Sequence, residues 1–327
     1  MNILVTGGAG YIGSVVVELL LRKKHNVIII DNLSTGSIDA IPDKMSFFKG
    51  DFGDKDNLDD IFSNTKIDLV MHFAALAIVE DSVNQKRKYY ENNVIQTRNL
   101  LSKMVEYKVD KIIFSSTCAI FKNKIGEKID EKCMKKPLNY YGKTKLDVEK
   151  LLVKYNKKYG IKFCSLRYFN VAGATKKNGE RRTRETHLIP NALGVVLGER
   201  DRLQIYGNDY NTIDGTCIRD YIHVSDIAEA HILAIKYLKN NDIGFFNLGN
   251  EKGYSVLDIV NMVEKVTKIS ICKEINRRRK GDPDFLVGNS SLVKQKIGWF
   301  PRKSKLKNIV HSAFLFKKYY NNKEKRQ

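Results

Sequence analysis

Two side chains that could exchange a proton with a substrate stand close together in the segment NYYGKTK. They are Tyr141 and Lys145, and a spacing of four residues places both on one face of a helix, about one turn apart. An ammonium beside a phenol lowers the phenol's pKa from its ordinary value of about 10. The pair therefore indicates a tyrosine that could act as a base near neutral pH, although the same spacing also occurs on surface helices without chemical function.

A hydroxyl group suited to the same chemistry precedes this pair. Thr117 ends the segment KIIFSST, whose apolar residues predict a strand. At a strand end its hydroxyl could face the substrate oxygen that Tyr141 deprotonates. The combination of a hydroxyl, a tyrosine and a lysine in this order is more specific than the tyrosine and lysine alone.

Three glycines join the first predicted strand to the first predicted helix in ILVTGGAGYIGS. Gly7, Gly10 and Gly13 follow each other at intervals of three residues. In a dinucleotide site one glycine allows the tight turn, one lets backbone N–H groups approach a pyrophosphate, and one lets the helix pack closely on the strand. The positive end of the helix dipole then faces the phosphates. The alternative is a glycine turn in an unrelated α/β fold.

The ends of the next strands add detail to this cofactor site. The strand NVIIID ends in Asp31, where a carboxylate accepts hydrogen bonds from ribose hydroxyls and repels a 2′-phosphate, so the sequence favours NAD over NADP. Asp51 and Phe52 follow a third strand, beside the expected adenine. The small residues of HFAA, 72–75, end a fourth strand and would let a dinucleotide lie close to the backbone.

The elements that must position these residues alternate between short apolar strands and amphipathic helices. This alternation predicts a Rossmann fold, a doubly wound parallel sheet with helices on both faces. After Asn170 the rhythm changes, which predicts a smaller α/β substrate-binding domain. We expect an NAD-binding domain over residues 1–169, a substrate-binding domain over 170–327, and a return of residues from about 224 to 248 to the first sheet.

Composition excludes several classes of protein. The net charge of +20 could suit a nucleic-acid or membrane partner, but the lysines are dispersed over the whole chain, so we expect neither. The five cysteines form no C-x-x-C pair and the six histidines no metal-binding motif, so we expect no metal. No signal peptide or membrane-spanning segment is recognised, and a cytoplasmic location is expected.

The motifs together resemble the extended short-chain dehydrogenase/reductase family, and within it the nucleotide-sugar 4-epimerases of the UDP-galactose type. The resemblance covers nearly the whole chain. It is carried by VTGGAGYIGS, DNLSTG, HFAA, YYENNV, FSST, YYGKTK, LRYFNVAGA, THLIP, IYGNDYNTIDGTCIRDYIHVSD, FNLGN and RRKGDP. It implies catalysis by Thr117, Tyr141 and Lys145.

The residue patterns and the resemblance together define the remaining site residues. The cofactor residues are Gly7, Gly10, Tyr11, Ile12, Gly13, Asp31, Asn32, Asp51, Phe52, Phe73, Ala74, Ala75, Asn92, Ser115, Tyr141, Lys145 and Tyr168. The substrate residues are Thr117, Asn170, His187, Leu188, Gln204, Tyr206, Arg219, Arg279, Asp282 and Leu286. In this family Arg219 and Arg279 would hold the diphosphate, and paired guanidinium groups suit phosphate oxygens. A solvated basic loop is the alternative for Arg279.

The resemblance also implies a reaction and a partner. Tyr141 would take the proton of the sugar's 4-hydroxyl while NAD accepts hydride from carbon 4, and the 4-keto sugar would then turn over and receive the hydride on its other face. A homodimer would form through the helices that begin near Lys86 and Asn139. Leu286 stands where a tyrosine would exclude N-acetyl sugars, so we expect activity on UDP-N-acetylglucosamine and UDP-N-acetylgalactosamine too; alternatively, Leu286 lies in the core.

Three other functions stay open at this stage. A nucleotide-sugar 4,6-dehydratase would need an acid and a base directly after the catalytic threonine, where this chain has Cys118 and Ala119. A uronic-acid epimerase or decarboxylase is disfavoured by RYFNVAGA. A non-catalytic NAD-sensing or nucleic-acid-binding protein is supported by the net charge alone.

Overall fold

Strands and helices alternate along most of the chain. The structure is a computed structural model that describes residues 1–122, 126–182, 184–279 and 282–324, so Lys280 and Gly281 of the RRKGDP motif lie outside it. The strands are β1 (Asn2–Thr6), β2 (Asn26–Asp31), β3 (Ser46–Lys49), β4 (Leu69–His72), β5 (Lys111–Thr117), β6 (Lys162–Tyr168), β7 (Asn170–Ala172), β8 (Leu203–Tyr206), β9 (Ile218–His223), β10 (Ile243–Leu248), β11 (Gly253–Ser255), β12 (Lys273–Asn276) and β13 (Phe285–Leu286). The helices are α1 (Tyr11–Arg22), α2 (Lys55–Asn64), α3 (Val79–Asn84), α4 (Lys86–Tyr90), α5 (Gln96–Glu106), α6 (Tyr140–Tyr159), α7 (Leu188–Val196), α8 (Val224–Tyr237), α9 (Val256–Thr267), α10 (Ser291–Ile297) and α11 (Leu306–Glu324).

Seven strands form one parallel sheet with the order β10-β6-β5-β4-β1-β2-β3. Alternate residues of each strand point to opposite faces. In β1, Ile3 and Val5 pack with α1 and α8, whereas Leu4 packs with α2, α5 and α6 on the other face. The predicted Rossmann fold is therefore confirmed, and apolar residues on both faces of the strands explain why the strands read as continuous apolar segments.

A smaller group of elements lies beside the carboxyl ends of this sheet. Strand β9 pairs in parallel with β7 and β13 and antiparallel with β11, while β8 and β12 form a separate parallel pair. Helices α7, α9 and α11 cover these strands through a core that includes Leu193, Tyr221, Ile259 and Val310. Among the described residues no helix combines the length and apolar character needed to cross a membrane.

Helix α6 carries the predicted catalytic pair, and local sequence fixes both of its ends. Asn139 begins it as the N-cap, and its side chain accepts a hydrogen bond from the N–H of Gly142 at 2.8 Å. Gly160 ends it in the left-handed conformation, with φ of 73°. Val148 and Leu152 bury one side of the helix against β5 and β6. These contacts hold the first turns of α6 over the carboxyl end of β5.

Candidate active site

A cleft with a volume of 1230 Å³ lies along the carboxyl ends of β1, β4, β5 and β6. Ligands of doubly wound sheets bind at this edge. The cleft is lined by every predicted site residue except Asp51. Asp51 is exposed and accepts a hydrogen bond from the Asn32 side chain at 2.6 Å, and its contact with the cofactor stays a prediction.

The glycine turn after β1 has the shape that a pyrophosphate requires. Gly7 has φ of +73°, and a Cβ there would lie 2.5 Å from the backbone nitrogen of Ala74, while a Cβ on Gly13 would overlap the carbonyl oxygen of Gly7. Gly10 caps α1 without a side-chain acceptor, so the first N–H groups of the helix are available to a phosphate.

Asp31 lies at the end of β2 with its carboxylate at the cleft. Its Oδ2 accepts the N–H of Ala9 at 3.0 Å and its Oδ1 accepts the N–H of Leu33 at 2.9 Å. Burial raises the pKa of this carboxyl and the two N–H bonds oppose that rise. Each oxygen keeps a lone pair for a ribose hydroxyl. The glycine cradle and this carboxylate together fit the diphosphate and adenosine ribose of NAD.

The predicted catalytic groups meet at the carboxyl end of β5. The Tyr141 phenol lies close enough to the Thr117 hydroxyl for that hydroxyl to lower its pKa. The ammonium of Lys145 donates to the carbonyl oxygen of Ser115 at 2.8 Å and lies 5.9 Å from the centre of the Tyr141 ring. Thr117 and Lys145 are buried, with 9% and 3% of their surface exposed. The three side chains thus form one constellation that opens into the cleft.

Burial opposes the lowering of the Tyr141 pKa that the sequence predicts. It raises the pKa of Tyr141 to about 12, and the nearby Thr117 hydroxyl only partly offsets this. Burial also lowers the pKa of Lys145 to about 7. Desolvation disfavours the charged form of each group, and the short-range spacing of the two residues in the sequence carries no information about their burial.

The predicted substrate residues line the other part of the cleft. Arg219 donates to the carbonyl oxygen of Pro283 at 2.7 Å and pairs with Asp282 at 3.1 Å. The guanidinium of Arg279 lies 4.0 Å from the centre of the Tyr206 ring, a cation–π contact. Both guanidinium groups are therefore held in defined positions in this part of the cleft.

Sequence reasoning missed several residues of the site. Glu180 and Glu185 line the cleft, and within the described part of the chain they and His187 have their potential ligand atoms within 4.8 Å of one another. Glu185 already accepts hydrogen bonds from the N–H and the ring of His187, each at 2.7 Å. Tyr168 hydrogen-bonds to the buried His231 at 2.7 Å. No local sequence signal links Tyr168 to His231, because α8 supplies His231 from far along the chain.

Comparison with known proteins decides the family. Residues 3–249 match the NAD dependent epimerase/dehydratase family. The chain belongs to this family. The family assignment confirms the prediction of NAD as the cofactor.

Similar proteins within the family cover almost the entire chain. A UDP-glucose 4-epimerase of Halalkalibacterium halodurans is 47% identical over 96% of this chain and 95% of the relative. The Brucella ovis UDP-glucose 4-epimerase, solved in complex with NAD, is 40% identical with a TM-score of 0.92, covering 96% of this chain and 97% of that one. The Campylobacter jejuni UDP-Glc/GlcNAc 4-epimerase is 39% identical with a TM-score of 0.85, covering 97% and 99%. These relatives confirm the resemblance to nucleotide-sugar 4-epimerases.

Proposed function

We propose that this chain catalyses the NAD-dependent 4-epimerisation of UDP-hexoses and interconverts UDP-glucose and UDP-galactose through a 4-keto sugar. One observation carries the proposal: Thr117, Tyr141 and Lys145 line the same cleft as the glycine turn, with the Lys145 ammonium 5.9 Å from the centre of the Tyr141 ring. The names of the Halalkalibacterium halodurans and Brucella ovis relatives support the same reaction.

Tyr141 is the group that exchanges a proton with the sugar's 4-hydroxyl. When bound, NAD would supply the acceptor and donor of hydride for carbon 4, and the positive charge of its oxidised ring would lower the pKa of a nearby phenol. Burial keeps the phenol protonated otherwise, which is the state required to return a proton to the sugar. Thr117 orients the phenol, and the Lys145 ammonium stabilises the phenolate.

The nucleotide is anchored at a distance from the reacting carbon. Arg219 and Arg279 would hold the diphosphate and Asp282 the uridine ribose, and binding energy placed there leaves the hexose free to turn over. Arg219 is supported on its other side by the carbonyl oxygens of Ile218 and Pro283. These two carbonyl oxygens therefore fix the position of the guanidinium.

A 4,6-dehydratase activity is not favoured. Such an enzyme needs an acid and a base beside the oxidised sugar, and the two residues after Thr117 are Cys118 and Ala119. Burial raises the pKa of the Cys118 thiol to about 12, so this thiol is a poor acid and holds no thiolate base near neutral pH.

The substrate range extends to N-acetylated sugars. Leu286 lines the cleft and packs partly against the small apolar cluster that includes Phe121 and Phe169. A leucine leaves more space than a tyrosine would at this position, so an acetamido group at carbon 2 can be accommodated. The name of the Campylobacter jejuni relative, which includes both sugars, supports this proposal.

A homodimer and a cytoplasmic location complete the proposal. Most apolar residues of α5 and α6, including Leu100 and Leu152, pack in the subunit's own core. The dimer contact therefore falls on residues that stay partly exposed, such as Leu151 of α6 and Tyr90 at the end of α4. All five cysteines are free thiols and four of them are buried, which suits a reducing compartment.

Separation of products tests the proposed function. Purified protein is incubated with UDP-glucose, with UDP-galactose and with their N-acetylated counterparts, and the sugars are separated by chromatography. We expect each sugar to yield its 4-epimer. A 4-keto-6-deoxy product, or no conversion of UDP-glucose and UDP-galactose, would contradict the proposal.

A further inference from the structure

A buried carboxylate lies one helical turn beyond the catalytic lysine. Tyr141, Lys145 and Glu149 recur at intervals of four along α6 and therefore share one face of the helix. Glu149 is 3% exposed, as is Lys145. Burying a carboxylate is costly unless other groups satisfy it, and its place behind the catalytic pair calls for an explanation.

Four hydrogen bonds satisfy the oxygen atoms of this carboxylate. Its Oε1 accepts from Ser116 at 2.8 Å, from Ser165 at 2.7 Å and from Nε of Arg167 at 2.9 Å, and its Oε2 accepts from Nη2 of Arg167 at 2.8 Å. The Arg167 guanidinium lies between the rings of Phe121 and Phe245, with centroid distances of 5.3 and 4.7 Å. Two-point pairing of this kind fixes both groups, and the rings shield the pair from water.

We propose that Glu149 is a positioning residue of the epimerase reaction: its carboxylate keeps the Lys145 side chain charged, and Arg167 holds that carboxylate in place. The inference rests on the proposed function, since the ammonium is needed only if Tyr141 must carry a negative charge. Successive residues of β5 link the two groups, because the carbonyl oxygen of Ser115 accepts from Lys145 and the hydroxyl of Ser116 donates to Glu149.

Among the charged groups around Lys145, Glu149 is the one that favours protonation of the lysine. Burial lowers the pKa of Lys145 to about 7 and Glu149 opposes this. Tyr141 on the same helix and His72 on β4 also lie near Lys145, whereas Arg167 on β6 pairs with Glu149. Burial keeps Tyr141 neutral and lowers the pKa of His72 to about 3, so His72 is also uncharged. Arg167 is a cation and disfavours the ammonium by its charge.

Removing either charge of the Glu149–Arg167 ion pair should shift the pKa of Lys145 in a predictable direction. Glu149→Gln leaves the Arg167 cation uncompensated, so Lys145 loses its proton at lower pH. Arg167→Gln leaves the Glu149 anion uncompensated, so Lys145 keeps its proton to higher pH. One unit charge at about 6 Å, with an effective dielectric constant of about 20, moves the midpoint of a titration by about two pH units. The double variant removes both charges and should lie between the single variants.

The test is the pH profile of kcat for epimerisation. The measured quantity is the pH on the alkaline side at which kcat falls to half. We expect it to fall by about one to two pH units in Glu149→Gln, to rise in Arg167→Gln, and to stay unchanged in the control Ser165→Ala, which removes a hydrogen bond from the same carboxylate without changing charge. If Glu149→Gln does not fold, Arg167→Gln carries the test alone, because its shift must be upward.

A merely structural role would lower kcat without moving the midpoint, and that result in the folded variants would overturn the inference. Shifts of the same sign in both single variants would also overturn it. Failure of the proposed function is recognised separately, because the unmodified protein would then convert neither UDP-glucose nor UDP-galactose.

Discussion

Alanine at Gly7 and alanine at Gly10 should have different consequences, although both glycines belong to the same turn. Gly7 has φ of +73°, and its Cβ would lie 2.5 Å from the nitrogen and 2.8 Å from the Cα of Ala74. A left-handed backbone costs an L-residue roughly 1–2 kcal/mol, and overpacking costs typically 1–3 kcal/mol. Because the atoms met are backbone atoms that cannot rotate away, we expect Gly7→Ala to lower the free energy of unfolding by about 2–5 kcal/mol.

Gly10 serves as the matched comparison. Its φ of −77° and ψ of 170° suit any residue, and the nearest atom to an added Cβ is the carbonyl oxygen of Gly7 at 3.3 Å. Gly10→Ala should change the free energy of unfolding by no more than about 1 kcal/mol, yet its methyl group would enter the cleft where the diphosphate of NAD is expected. Urea unfolding and the NAD content of the purified variants separate the two effects. Equal stability of Gly7→Ala and the unmodified protein, or full NAD retention by Gly10→Ala, would refute this reasoning.

Three further predictions concern catalysis, substrate range and assembly. Tyr141→Phe should keep bound NAD and lose about 10² to 10⁴ in kcat, whereas the neighbouring Tyr140→Phe should stay active; similar rates for both would remove Tyr141 from its role. Leu286→Tyr should lower the rate with N-acetylated sugars by about 10- to 100-fold, the effect of overfilling a pocket by 1–3 kcal/mol, and should spare UDP-galactose; equal loss on both would place Leu286 outside the pocket. Light scattering at micromolar concentration should give twice the mass of one chain, and a monomer would contradict the dimer.

The sheet was predictable from the sequence, but strand β9 was not. Strands such as β1 and β2 are short apolar segments followed by turn residues, and this local pattern is sufficient. Strand β9 contains Asp220, which is fully buried and therefore breaks the apolar pattern. Its carboxylate accepts the N–H groups of Asn250, Glu251 and Gly288 at 2.8 to 3.1 Å. Contacts across such sequence distances leave no local trace.

The positions of the site residues were more predictable than their electrostatics. Helical spacing and strand ends brought Thr117, Tyr141 and Lys145 together as expected. The direction of the Tyr141 pKa depends on burial, which involves the whole fold and is not visible in the spacing. Glu149 continues the same interval of four along α6, so its place on the face could have been predicted. Its ion pair with Arg167 of β6 could not have been predicted, because only the fold brings the two side chains together.

The central claim is that one carbon is oxidised and reduced within a single site. The most direct measurement uses UDP-glucose that carries deuterium at carbon 4, incubated with the purified protein in ordinary water. The proposed mechanism predicts UDP-galactose that retains the deuterium at carbon 4, because the hydrogen is held in the site and returned to the other face. UDP-galactose with solvent hydrogen at carbon 4, or no UDP-galactose at all, would contradict the mechanism.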